Sequence, residues 1–174
     1  MGFFLKNENT SMKKIFLALL VLALAAGLTY TLMGNRPTAP LVSLTSIAGQ
    51  KTTMDALKGK VVLVNFWATS CSGCIKEMPM LVDMHKKFSP QGYETVAVAM
   101  SYDSPAFVRE YVAANRLPFF VTLDTQGELA KAFGDVRLTP TSVLVDKKGM
   151  ILKRFLGEPD ASELSRLISE ALTA

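Results

Sequence analysis

Cys71 and Cys74 are the only cysteines in the chain, and they stand two residues apart in the stretch FWATSCSGC, residues 66–74. Two thiols at that spacing can supply half of a zinc site, close a structural disulfide, or exchange electrons with another dithiol. A structural zinc site needs two further ligands, but there is no third cysteine and His85 is the single histidine. A bridge across so short a loop removes little entropy from the unfolded chain. Redox chemistry has the stronger physical case. The pair follows an apolar run, VVLVNFW, and opens a helical pattern, which puts Cys71 at a helix N-terminus. Unpaired backbone N–H groups and the helix dipole stabilise a thiolate there. Cys71 is then the attacking nucleophile, and Cys74, one turn on and more enclosed, resolves the mixed disulfide.

The elements that must position this pair alternate along the chain. LVSLTSI (41–47) predicts a short strand, 51–58 a weak strand or loop, and VVLVNFW (61–67) a strand buried on both faces. A helix over 72–88 follows, then a strand over 93–100. Ser104-Pro105 opens a helix that runs to about Asn115, with a strand at 119–124 and a short helix at 127–133. The strands 141–146 and 150–156 flank Lys147-Lys148-Gly149, a hairpin signature, and Asp160 caps a last helix over 161–172. This order predicts an α/β fold with a largely parallel sheet, helices on both faces and a closing antiparallel hairpin. A CxxC pair inside such a pattern is a strong redox signal.

Residues 15–33, IFLALLVLALAAGLTYTLM, form a 19-residue run without a charge, preceded by Lys13 and Lys14. That length and flank predict a membrane or secretory segment, with the preceding tail (1–14) held in the cytoplasm and the rest exported. Ala23-Leu24-Ala25 fits a signal-peptide cleavage site, whereas the continuation of the run through Met33 fits an uncleaved anchor; both alternatives stand. Met12-Lys13-Lys14 is itself an ordinary signal start. Residues 34–40, GNRPTAP, predict a linker, and one domain runs over 41–174. An exported domain sits where disulfides persist.

Composition excludes some functions. Hydrophobic residues are 49% of 174, enough for a sizeable core, and the net charge is +4. Half of that charge belongs to the first 14 residues; the remainder carries 16 basic and 14 acidic residues. No basic cluster interleaved with aromatics marks a nucleic-acid surface.

Three stretches resemble the thioredoxin superfamily, and more closely its membrane-anchored TlpA/ResA-like branch: VVLVNFWATSCSGCIKEMP, GYETVAVAM and LTPTSVLVDKKGMI. The resemblance covers most of residues 40–174 and implies a thioredoxin fold with a central mixed sheet. The stretch 101–135 resembles that branch's extra helix-and-strand unit. It implies that Cys71 is the exposed nucleophile, Cys74 the buried partner, and Pro140 a cis-proline facing the disulfide. Thr139 would then offer its backbone to a client chain as an added strand. Pro79 matches a proline that kinks the active-site helix, and Trp67 a tryptophan packed beneath the site, where with Thr139 and Pro140 it would bind the client; ordinary core is its alternative, and the two are compatible. Glu77 matches a glutamate near the dithiol that could accept the Cys74 proton. The alternative is a solvated helix glutamate paired with Lys76. Asn65 stands where thioredoxin itself carries a buried aspartate.

The resemblance also implies the partners: exported client proteins with cysteine pairs, such as apocytochromes c or copper-site proteins, and a membrane thiol donor of the DsbD/CcdA type. The site would be periplasmic and anchored to the bacterial inner membrane, with no cofactor besides the cysteine pair. His85 falls within an apolar helical face and predicts a core histidine with one hydrogen-bond partner. Met80 and Met84 fall off that face as rim or partner-facing surface, with soft copper ligation as their alternative. Two rival functions remain. A Cu(I)-binding chaperone of the Sco type would use a wider cysteine spacing and a distant histidine. A peroxiredoxin-like thiol peroxidase would need a proline shortly before its reactive cysteine, and none lies between Pro40 and Cys71.

Overall fold

The computed structural model describes residues 8–33 and 36–174, with side chains over 12–27 and 36–174. The chain divides into two compact units, Met1–Arg36 and Pro37–Ala174. The first contains one 26-residue helix, α1 (Glu8–Met33). Among the described residues, no helix is long and apolar enough to cross a membrane.

In the second unit, β1 (Ser43–Thr45) and β2 (Lys51–Thr53) pair only with each other as an antiparallel hairpin. The main sheet has five strands: β3 (Val61–Trp67), β4 (Tyr93–Ala99), β5 (Phe120–Leu123), β6 (Thr141–Val145) and β7 (Ile151–Leu156). Their spatial order is β5-β4-β3-β6-β7. β3, β4 and β5 run parallel, β6 is antiparallel to β3, and β7 is antiparallel to β6. The sheet is thus mixed. The chain crosses from one edge to the far side of β3 between β5 and β6, and re-enters in the opposite direction.

Crossover handedness decides which helix covers which face. The β3→β4 and β4→β5 connections carry α2 (Ser72–Phe88) and α3 (Pro105–Asn115). Right-handed crossovers that step the same way along a sheet land on one face. These helices and α5 (Ala161–Thr173) share a core with Val61, Leu63, Trp67, Ala97, Leu144 and Phe155. The opposite face packs Val62, Val64, Phe66, Val96 and Val143 against the β1–β2 hairpin and α4 (Glu128–Ala132). Strict alternation along β3 sorts its residues between the two cores. Burying Met78, Leu81 and Phe88 of α2 contributes about 2 kcal/mol each.

Two sequence expectations change here. Residues 37–39 are not a free linker. Pro37 accepts from Ile151 N–H at 2.8 Å and Ala39 donates to the Gly149 carbonyl at 2.8 Å, so this segment seals the end of the β6–β7 hairpin. The strand expected over 41–47 contracts to three residues. It joins the main sheet only at one bridge, Ser46 to Thr122, because β2 takes up its other hydrogen bonds. Met80 and Met84 are partly buried at the edge of the α2-side core, which fits the rim reading.

Candidate active site

The site begins where β3 ends. Seven buried residues carry the chain through the sheet to Trp67, and the backbone then turns before α2. Cys71 is the residue that caps α2. Its backbone is extended, with φ −92° and ψ 106°, and its Sγ accepts the N–H of Cys74 at 3.2 Å. Sulfur thus fills the place that Ser or Asp oxygen takes at other helix starts, among the orphan N–H groups. Negative charge on Sγ is favoured there by the same donors.

Cys71 and Cys74 are joined as a disulfide, with their α-carbons 5.2 Å apart. Cys71 is half-buried, and Cys74 is fully enclosed in the core under α2. A client sulfur can therefore reach Cys71 and not Cys74. Ser70 and Ser72 beside Cys71 are exposed.

Pro140 follows a cis peptide bond from Thr139. It lies over the turn between the cysteines: a β-carbon placed on Gly73 would sit 3.5 Å from Pro140 Cδ, an ordinary van der Waals contact. Thr139 is half-buried, and its hydroxyl shares a 3.1 Å hydrogen bond with the hydroxyl of Tyr102. Tyr102 and Leu138 are exposed, and both lie next to Thr139, Leu138 as its chain neighbour and Tyr102 as its hydrogen-bond partner.

Trp67, expected among the client-facing residues, is instead completely buried. It shares with Leu63 the face of β3 turned to α2, and its ring packs against Tyr111 at 5.4 Å between centroids. It supports the site from below and has no surface to present to a client.

Glu77 is the residue whose surroundings depart most from the solvated alternative. It does not pair with Lys76, which reaches the other way to Glu158 at 2.7 Å. Glu77 lies with Cys74, Met78, Leu81, His85 and Phe88 on the buried stripe of α2. Its Oε1 accepts from Asn65 Nδ2 at 2.8 Å, and the same nitrogen donates to Ser142 Oγ at 3.0 Å. All three residues have 0% exposure. Glu77 Oε2 and Asn65 Oδ1 are buried without a hydrogen-bond partner among the described residues. Burial pushes the Glu77 carboxyl up to about 7, against the opposing pull of the Asn65 donor and with a smaller upward push from the charge of Glu158. A carboxyl poised there can take up and release a proton near neutral pH. It stands three residues after Cys74 on the same helical face.

His85 sits at the far end of that stripe, against Phe119 and Tyr93. It is a core histidine as expected, but its Nδ1 makes no hydrogen bond among the described residues; the Glu94 carboxylate stands 3.9 Å away. Burial lowers its pKa. Among the described residues, no group of three or more His, Cys, Asp or Glu side chains could hold a metal ion.

Sequence reasoning did not find two supporting contacts. Asp103, in the turn after β4, accepts from the Thr69 N–H and from the Thr69 hydroxyl, both at 2.6 Å, and so ties down the turn before Cys71. Ser142 is the other. Alternation could have placed it, since Asn65 is the one polar residue of β3, but only the strand register sets Ser142 opposite Asn65.

Comparison with known proteins agrees with this geometry. The Redoxin family model matches residues 34–168. The thiol-disulfide oxidoreductase ResA of Bacillus thuringiensis subsp. konkukian is 33% identical over 132 residues, covering 76% of this chain and 75% of that protein. A Neisseria meningitidis protein assigned as a thioredoxin is 40% identical, with a TM-score of 0.74 over 80% of this chain and 92% of that one. StoA of Bacillus subtilis is 28% identical, with a TM-score of 0.65 over 75% of this chain and 98% of that one. The chain therefore belongs to the Redoxin family, as a TlpA/ResA-like thiol–disulfide oxidoreductase of the thioredoxin superfamily.

Proposed function

We propose that this protein reduces disulfides in exported client proteins, from the outer side of the bacterial cytoplasmic membrane. The observation that carries this is the asymmetry of the pair: a half-buried Cys71 at a helix N-terminus, bonded to a fully enclosed Cys74. In the reduced enzyme, the Cys71 thiolate attacks one sulfur of a client disulfide. The Cys71–client bond forms, the client S–S bond breaks, and the departing client sulfur takes a proton from water. Cys74 then gives its proton to Glu77 and attacks Cys71 Sγ. The enzyme disulfide forms, the second client sulfur leaves as a thiolate and takes a proton from solvent, and Glu77 releases its proton to solvent. The client has gained two electrons and two protons. A membrane dithiol donor of the DsbD/CcdA type returns the enzyme to its reduced form.

Thr139 and Pro140 flank the disulfide, and the backbone of Thr139 would pair with the client chain as an added strand. The apolar side chains of Tyr102 and Leu138 would border that strand. Apocytochromes c and copper-site proteins are the client classes implied by likeness to ResA. The peroxidase alternative lacks a proline between Pro40 and Cys71, and among the described residues the copper alternative has no cluster of further ligands.

The membrane location rests on the uncharged run 15–33 behind Lys13 and Lys14. α1 contains that run.

The test is a Cys74→Ala variant expressed with its native leader. It should accumulate client proteins as mixed disulfides on Cys71, releasable by reductant, in the membrane fraction. Cys71→Ala should capture none and should lose reductase activity. Retained disulfide reduction in Cys71→Ala overturns the proposal.

A further inference from the structure

The two hydrogens of the Asn65 amide go to partners on different elements, one on α2 and one on β6. One reaches Glu77 Oε1 at 2.8 Å and the other Ser142 Oγ at 3.0 Å. Ser142 stands directly opposite Asn65 in the antiparallel β3–β6 register, so the two side chains emerge side by side on the face under α2. Both are sealed from solvent.

An amide has two ends, and they favour opposite states of a neighbouring carboxyl. The NH2 end donates, and so stabilises the carboxylate. The carbonyl end accepts, and so stabilises the protonated acid. Nothing in Asn65 itself chooses between them. Its Oδ1 points to a place with no hydrogen-bond partner among the described residues. Turned over, the amide would aim both N–H groups into that place and leave two buried donors unsatisfied, a heavier penalty than one orphan acceptor. As it stands, the second N–H is satisfied only because a hydroxyl oxygen waits at Ser142. Alanine there would orphan that N–H in the present orientation and narrow the advantage over the turned one.

We infer that Ser142 is a positioning residue: through Asn65 it keeps an N–H donor facing Glu77, and so keeps Glu77 in the base form that can receive the Cys74 proton. The part concerning Cys74 rests on the proton-acceptor role proposed above; the orienting of the amide does not. Few other charges face this carboxyl. Cys74 lies beside it on α2, and Glu158, from the β7–α5 turn, acts on it while paired with Lys76. β3 and β6 present only the neutral Asn65 and Ser142.

The full chain in its disulfide form, where no thiol titrates alongside, should be followed by carbon-13 NMR of the Glu77 carboxyl, assigned with Glu77→Gln. Ser142→Ala should raise the titration midpoint by about half a unit to one unit. Because a buried truncation can unfold the chain, the near-isosteric pair Ser142→Thr and Ser142→Val gives a second comparison. Thr, which keeps the hydroxyl, should hold the wild-type midpoint, and Val should shift it upward as Ala does. The acid limb of the rate at which Cys74 resolves a Cys71 mixed disulfide should move to higher pH by the same amount, with wild-type rates regained well above it. An unmoved midpoint in Ser142→Ala, or equal midpoints in Thr and Val variants, overturns the inference and marks Ser142 as packing alone. If the midpoint moves but Glu77→Gln retains the acid limb, the positioning stands and the proton-acceptor role of Glu77 falls.

Discussion

Asn65 on β3 donates to Glu77 on α2 across a fully buried gap of 2.8 Å, one helical turn from the enclosed cysteine. That bond keeps an ionisable group inside the core without an opposite charge. Burial alone would drive the carboxyl further up; the amide opposes it, and the balance falls at about 7. Folded, Glu77 holds its proton up to that pH, whereas unfolded it releases it near the ordinary 4.5. Between those values the folded state binds more protons, so stability falls as pH rises through the window.

Glu77→Gln should therefore stabilise the fold at alkaline pH. Glutamine keeps an oxygen for the Asn65 donor and never ionises. Urea unfolding at pH 8 should show a gain of up to about 3 kcal/mol, shrinking to nothing below pH 4.5. A gain of equal size at both pH values contradicts the linkage. The same variant should slow resolution of mixed disulfides, which would make it more stable and less active.

Asn65→Ala should act in the opposite sense on the same group. It removes the one donor to Glu77 and leaves Ser142 without its partner. The Glu77 midpoint should climb above that of the wild type, and stability at pH 6 should drop by about 1–3 kcal/mol. Calorimetry and the carboxyl titration together measure both effects; a lower midpoint would refute the account.

Asp103→Ala should loosen the turn before Cys71. It deletes two charge-assisted hydrogen bonds to Thr69 at a cost of about 2–3 kcal/mol. Amide exchange at Thr69 should accelerate while exchange in β3 follows only the global loss. Thr69 protection that changes no more than that of Val64 would show the turn to be held by other contacts.

Gly73→Ala should be tolerated between the cysteines. The added carbon meets Pro140 at ordinary contact distance, and Gly73 is not among the glycines that need a left-handed backbone. Removing a glycine from the first turn of α2 should raise stability by up to about 1 kcal/mol in urea unfolding. A loss would mean that the proline closes on this turn more tightly than the contact distance implies.

The residues themselves declare much of this protein. The seven-residue run 61–67 has no polar break except Asn65, and it forms the buried central strand. The helix expected over 72–88 begins and ends at those residues, because a cysteine cap opens it and Ser89-Pro90 closes it. The chemistry of Cys71 was legible because it depends on local matters, namely spacing, a helix start and backbone donors. The residues that tune that chemistry were not. Glu77 looks like any charged residue on a helix until the stripe facing the sheet is known, and that stripe holds Cys74 and Glu77. Trp67 fits both a site and a core reading until its ring is found buried against Tyr111.

What the sequence by itself determined is therefore the dithiol, its polarity along the chain and the elements around it, since these follow from short-range backbone preferences and hydrophobic periodicity. What only the tertiary structure decided is the company each side chain keeps. Ser142 reaches Asn65 across 77 residues of chain, and Asp103 reaches Thr69 across 34. Such contacts depend on strand order and register, which propensity and periodicity do not encode, because they arise from packing the whole sheet at once.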